Sequence, residues 1–128
     1  MLVSEKEILE MKELIFQLNA IGSNSVVVVE GKRDSRALTR LGYSGRILEF
    51  YKFGGMVNFV DSVAKYERLI LLFDRDRKGR TLTKKIIHLL QRRTKIDLSF
   101  KRKIRGITNG KIMFMEQLVC YEPFLDED

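Results

Sequence analysis

Glu30, Asp74 and Asp76 have the side chains and the spacing to hold a divalent cation. Glu30 follows four valines, Val26 to Val29, and opens the run Glu30-Gly31-Lys32-Arg33-Asp34. Asp74 and Asp76 follow Leu69-Ile70-Leu71-Leu72-Phe73, in the run Asp74-Arg75-Asp76-Arg77-Lys78-Gly79. While the backbone stays extended, side chains at i and i+2 point the same way. Both aspartates then face one small volume. Mg²⁺ takes hard oxygen ligands and is usually held by one or two carboxylates plus substrate phosphate. Mg²⁺ is therefore the expected cofactor, with Mn²⁺ able to substitute. Three clustered carboxylates without a cation repel, which raises a pKa.

Basic residues interleave with the acids: Lys32, Arg33, Arg75, Arg77, Lys78 and Arg80. Arginine grips phosphate oxygens bidentately, and lysine acts as a point charge. The pattern suits a site that binds metal and phosphate together. Gly79 is expected to let the chain turn into a following helix, whose N-terminus attracts phosphate. Asp34 has two readings, a helix-capping residue of the first turn or a supporting site residue. Mixed charge such as Asp-Arg-Asp-Arg is commonly a solvated turn. Its position after an apolar strand and before a glycine favours a site.

The elements that position these residues are legible in the apolar pattern. Ile8, Met11, Leu14, Ile15 and Leu18 repeat at helical spacing, predicting a helix over residues 4–20. Ser4 and Glu7 have capping-box spacing, and Gly22 follows the end. Val26–Val29, Arg46–Phe50 and Leu69–Phe73 read as strands, and alternating Ile96, Leu98 and Phe100 as a fourth. Between them, Leu38 and Leu41 mark a short helix. After Gly54-Gly55 another starts, with Val57, Val60 and Ala64 on one face. Residues 79–93 form a long basic helix burying Leu82, Ile86, Leu89 and Leu90. Strands alternating with helices predict a parallel α/β sheet of about four strands with helices on both faces. Ligands of such sheets bind beyond the carboxyl ends of the strands, where Glu30 and Asp74 lie. In the C-terminal extension, 101–128, Lys111–Phe114 is expected to be extended and Met115–Tyr121 a short helix. Asp126-Glu127-Asp128 reads as a frayed end.

Composition narrows the function. The 128 residues predict a single domain, 1–128. A net charge of +7 favours polyanionic partners, nucleic acid above all. No apolar run approaches the roughly 20 residues that span a bilayer, and the N-terminus is unlike a secretory signal. One cysteine, Cys120, excludes an internal disulfide and suits the cytoplasm. One histidine and one cysteine cannot build a zinc site. His88 reads as a surface or packing residue, and Tyr43, Tyr51, Tyr66 and Tyr121 as packing residues. Phe50, Tyr51 and Phe53 read as core, with base stacking the alternative. Lys101-Arg102-Lys103-Ile104-Arg105 is a solvated edge or a patch tracking a nucleic-acid backbone.

Over residues 24–100 the chain resembles the Toprim family, the metal-binding domain of topoisomerases, bacterial-type primases, overcoming-lysogenization-defect nucleases, recombination mediators and ribosomal-RNA maturase ribonucleases. The family pattern is Glu-Gly-x-x-Asp after the first strand and Asp-x-Asp-x-x-Gly after a later one. Here these are Glu30 to Asp34 and Asp74 to Gly79. Arg77 and Arg80 resemble primase arginines around that glycine. Lys52-Phe53-Gly54-Gly55 matches a glycine turn after the second strand and adds Lys52 to the phosphate candidates. The resemblance implies a Rossmann-like fold of the small stand-alone type found in archaea. It implies Glu30 as general acid/base and Asp74 and Asp76 as metal ligands, all three catalytic, supported by Gly31, Asp34 and Gly79. The implied activity is Mg²⁺-dependent phosphoryl transfer on nucleic acid, a nuclease with RNA ahead of DNA. The alternatives are a non-catalytic module binding nucleic acid or protein, and a subunit active only in an oligomer or complex. Ile112, Phe114, Met115, Leu118 and Phe124 make the C-terminal end apolar, as core or as an interface.

Overall fold

Four β-branched residues in a row favour extended backbone. In the computed structural model, which describes residues 3–125, Val26 to Val29 lie in strand β1 (Ser25–Val29), buried on both faces. Helix α1 (Glu5–Asn19) precedes it. Then follow α2 (Lys32–Arg40), β2 (Ile47–Glu49), a 3-10 turn over Phe50–Phe53, α3 (Met56–Val63), β3 (Arg68–Leu71) and α4 (Arg77–Leu90). The remainder is β4 (Lys95–Asp97), α5 (Ser99–Ile107), a 3-10 segment over Met115–Tyr121 and α6 (Glu122–Leu125). The sheet is entirely parallel, in the order β2-β1-β3-β4. This is the expected Rossmann-like α/β fold. The expectation for residues 126–128 lies outside the described residues.

Alternation along the central strands divides the core in two. Val27, Val29, Ile70 and Leu72 face one layer, with Met11 and Leu18 of α1, Leu38 of α2, and Phe100 and Ile104 of α5. Val26, Val28, Leu69, Leu71 and Phe73 face the other, with Phe59 and Val63 of α3 and Ile86 and Leu90 of α4. Ile112, Met115, Leu118 and Tyr121 also enter the first layer. The apolar character of the C-terminal end is therefore largely core.

Several local expectations are corrected. β3 ends at Leu71 rather than Phe73, although Leu72 N–H still donates to Val28 O at 2.9 Å. β4 stops at Asp97, whose Oδ1 accepts the Ser99 N–H at 2.8 Å and turns the chain into α5. Phe100 therefore belongs to a helical stripe with Ile104 and Ile107, not to a strand. α3 is rotated from the expected face. Phe59 stacks edge-on against Phe50 and Phe53, leaving Val57 75% exposed and Ala64 exposed. Leu89 is nearly half exposed, while Ile86 and Leu90 pack against the sheet. Residues 111–114 carry no strand. Ser4 caps α1 by accepting the Glu7 N–H, but the Glu7 carboxylate does not close a capping box. It accepts instead from Lys111 Nζ at 3.0 Å and the Tyr121 hydroxyl at 2.8 Å. That cluster, buried at Glu7 and Tyr121, ties the C-terminal segment to α1. Tyr43, Tyr66 and Tyr121 are buried, as packing residues should be. His88 is exposed and Cys120 partly buried. No helix among the described residues is long and apolar enough to cross a membrane.

Candidate metal centre

In a doubly wound sheet the chain leaves in opposite directions on either side of one strand pair, which opens a crevice at the carboxyl ends. With the order β2-β1-β3-β4 that pair is β1 and β3. Glu30 extends β1 by one residue and Asp74 comes three after β3, so register alone brings them together. Glu30 is only 5% exposed. Its Oε2 accepts the Asp74 N–H at 2.7 Å, and its Oε1 accepts the Tyr51 hydroxyl at 3.3 Å. Asp74 Oδ1 accepts the Met115 N–H at 2.7 Å.

Asp76 arrives differently from the expectation. The backbone bends at 75–76 rather than running on extended. Asp76 becomes the N-cap of α4, its Oδ1 accepting the Gly79 N–H at 2.8 Å. α4 thus starts at Arg77, before Gly79. Gly79 is needed not for a turn but for close approach: a Cβ there would collide with the carbonyl oxygen of Asp74. Gly54 and Gly55, after the 3-10 turn, adopt φ of +74° and +139°, and do need glycine.

One oxygen each of Glu30, Asp74 and Asp76 lies within 4.8 Å of the others. Burial raises the carboxyl pKa of Glu30 and of Asp74, and neighbouring negative charge adds to both shifts. Converging hard-oxygen donors that are destabilised as bare anions fit a divalent cation. Asp34 sits at the helix start and also lines the depression beside these acids. Its Oδ2 accepts the Gly31 N–H at 3.1 Å at the start of α2. Burial, with Asp74 and Glu116 adding, pushes its carboxyl up to about 6.

The depression, about 390 Å³, is lined by Glu30, Gly31, Lys32, Arg33, Asp34, Tyr51, Asp74, Asp76, Lys78 and Glu116. Of the seven basic candidates, Lys32, Arg33 and Lys78 are therefore brought to the acids. Arg75 and Arg80 line a neighbouring hollow, and Arg75 donates to the carbonyls of Gly110 and Ile112 at 3.1 Å. Lys52 pairs with Glu49 at 3.6 Å and, like exposed Arg77, does not line the depression.

Three contributors escape the sequence reading, and a fourth, Lys101, reads there only as part of a basic run. Tyr51 is 47% exposed, bonded to Glu30, with Lys78 Nζ 4.7 Å from its ring centroid; it is not a packing residue. Met115 contributes only a backbone N–H, which no side-chain pattern signals. Glu116 reaches the depression because the 3-10 segment packs on α2. Lys101 donates to the Asp74 carbonyl at 3.5 Å, and burial holds its ammonium below its ordinary value. Its place in a basic cluster was the available signal.

The Toprim domain family model matches residues 25–105. A UPF0292 protein of Archaeoglobus fulgidus is 35% identical over 111 residues, covering 85% of this chain and 86% of that protein. A UPF0292 protein of Methanocaldococcus jannaschii is 32% identical over 114 residues, covering 88% and 89%. A solved protein from Aquifex aeolicus superposes with a TM-score of 0.67 at 29% identity, over 82% of this chain and 94% of that one.

Proposed function

The chain belongs to the Toprim family, and on that premise we propose that it is a Mg²⁺-dependent nuclease, a phosphoryl-transfer enzyme of nucleic acids. Family membership implies a metal-dependent function on nucleic acid, and the acidic cluster offers the groups to hold the ion. The single observation that carries the reading is the convergence of three carboxylates, within 4.8 Å, on a depression also lined by Lys32, Arg33 and Lys78.

Glu30, Asp74 and Asp76 would hold the ion. When bound, it would polarise a phosphate oxygen and offset the charge that develops there. Lys32, Arg33 and Lys78 bind and orient the phosphate. Glu30 is the general acid/base, the role that the family resemblance implies for it. The Asp74 amide and the Tyr51 hydroxyl hold its carboxylate in place. The family resemblance to ribosomal-RNA maturase ribonucleases supports RNA ahead of DNA, and the absence of disulfide-forming cysteine pairs supports work in the cytoplasm.

The test is cleavage of end-labelled RNA and DNA with Mg²⁺ or Mn²⁺, beside Glu30→Gln. The native chain is expected to cleave RNA faster than DNA. Glu30→Gln should be slower by about 100-fold or more. Equal cleavage by the two proteins would remove the catalytic claim. Binding with a steep salt dependence but no product, across metals and substrates, would recast the chain as a binding module.

A further inference from the structure

A second hollow adjoins the metal centre and is built with the opposite charge. It measures about 310 Å³ and is lined by Arg75, Arg80, Leu98, Lys101, Arg102 and Arg105. Arg75 lies between Asp74 and Asp76 in the chain, and Lys101 Nζ reaches the Asp74 carbonyl at 3.5 Å. The two depressions therefore share the 74–76 bend. Within α5, residues 101, 102 and 105 fall on one helical face. Lys103 turns away, its Nζ bonding Gln17 Oε1 at 3.1 Å, against α1.

Among the described residues these cations form no ion pair, although the charges of Glu30 and Asp74 favour the Lys101 ammonium. The ion pairs among the described residues use Arg33, Lys52, Arg68 and Lys111, none of which lines the hollow. Lys101 and Arg102 lie in the first turns of α5, which has no acidic residue in its first turn. Cations there oppose the helix macrodipole. Five clustered positive charges repel one another, and an anion in the hollow relieves both costs. The volume is at the lower edge of that of small-ligand sites, the scale of a phosphate and its sugar rather than of a protein surface.

We propose that this hollow is a phosphate subsite for nucleic acid, taking a phosphate near the one held at the carboxylates. The identity of the ligand as nucleic acid rests on the function proposed above; the anion site itself does not. Arg102 and Arg105 are exposed on α5, so replacing them should spare the fold. The native chain, Arg102→Gln/Arg105→Gln, and a control of equal charge change on α4, Lys84→Gln/Lys85→Gln, are titrated in EDTA. The probes are inorganic pyrophosphate and a fluorescent single-stranded oligonucleotide, with and without a 5′-phosphate.

The arginine pair is expected to weaken oligonucleotide binding about tenfold. It should also lower the salt slope by about 1.4, two single-strand contacts at about 0.7 each. The lysine pair should stay within about twofold of the native chain, and pyrophosphate binding should fall only for the arginine pair. A larger loss with the 5′-phosphate assigns the occupant to a strand end; an equal loss assigns it to a backbone phosphodiester. Pyrophosphate binding lost in the arginine pair, from a chain that binds no oligonucleotide, would keep the subsite and remove the nucleic-acid reading. Oligonucleotide binding equal in all three proteins, or weakened equally by both pairs, overturns the subsite. So does failure of the native chain to bind either probe.

Discussion

The acidic depression and the basic hollow meet at one bend, yet they are held in place by different means. The carboxylates of Glu30, Asp74 and Asp76 each accept a backbone N–H, from Asp74, Met115 and Gly79 respectively. Their positions are set by the fold before any cation arrives. The cations of the hollow stand mostly on long stems from α4 and α5, and among the described residues only Arg75 and Lys101 of them are anchored to backbone carbonyls. Backbone anchoring gives a preorganised carboxylate cluster, which favours chemistry. Flexible stems give a site that orders around its ligand, at a cost in side-chain entropy, which suits grip along a strand. The difference suggests where the chain is built for precision and where for reach.

The sharpest way to break this contrast is to disturb the bend that both regions share. Gly79→Ala forces a Cβ into the Asp74 carbonyl, the group that Lys101 also meets. Backbone cannot yield as a flexible side chain can. The expected loss of stability is about 3 kcal/mol or more, measured by denaturant unfolding in EDTA. Stabilisation by Mg²⁺ should vanish with it, because Asp74 and Asp76 flank the displaced segment. A variant within about 0.5 kcal/mol of the native chain that keeps its Mg²⁺ shift would show that the bend does not fix the carboxylates.

A smaller effect separates the regions by pH. Asp34 loses its proton near its ordinary 3.8 when unfolded but near about 6 when folded. Between those values the folded state binds more protons, so stability falls as pH rises through the window and levels above it. The full shift corresponds to about 3 kcal/mol; partial solvation should leave about 2 kcal/mol. Arginines of the hollow stay charged throughout, so of the two regions only the acidic side contributes a slope, while Glu7 and Asp97, whose carboxyls are lowered, act in the opposite sense. Glu30 and Asp74 act in the same direction as Asp34. The difference between the native chain and Asp34→Asn, in unfolding free energy against pH in EDTA, isolates Asp34. Parallel curves would sink this assignment. With Mg²⁺ present the gain from metal should grow as pH rises across the window, because the ion binds deprotonated carboxylates.

How far the two regions were legible in the sequence follows from how each is built. Val26–Val29 and Leu69–Phe73 announced two buried parallel strands, and the acids after them are the ones that the fold gathers into one cluster. That worked because strand, loop and ligand are contiguous in the chain. Asp76 was found for the wrong reason: an extended i, i+2 pair was expected, and a helix N-cap stands there. Tyr51 and Glu116 were missed because they reach the site through tertiary packing, across 21 residues for the Tyr51 bond to Glu30. The Met115 amide left no side-chain trace. The hollow was half visible, as the basic run 101–105. Reading Phe100 into a strand hid the helical face that gathers Lys101, Arg102 and Arg105, because three alternating apolar residues cannot by themselves separate a short strand from a helix start.

The smallest test separates the two roles that Asp76 combines, cap and ligand. Its Oδ1 holds the Gly79 N–H, while the carboxylate also faces Glu30 and Asp74. Asparagine caps about as well as aspartate, whereas alanine loses about 1 kcal/mol. In EDTA, Asp76→Asn should match or slightly exceed the native stability, since it keeps the cap and removes a like charge that burdens both neighbours. Asp76→Ala should fall below it by about 1 kcal/mol. Mg²⁺ should raise the unfolding midpoint of the native chain and of neither variant, because both lack the charged ligand. If Asp76→Asn retained the full Mg²⁺ shift, Asp76 would be a cap alone and the preorganised side would rest on Glu30 and Asp74. If both variants lost equal stability in EDTA, the charge of Asp76 rather than its cap would secure α4, and the acidic side would depend on electrostatics as much as the basic hollow does.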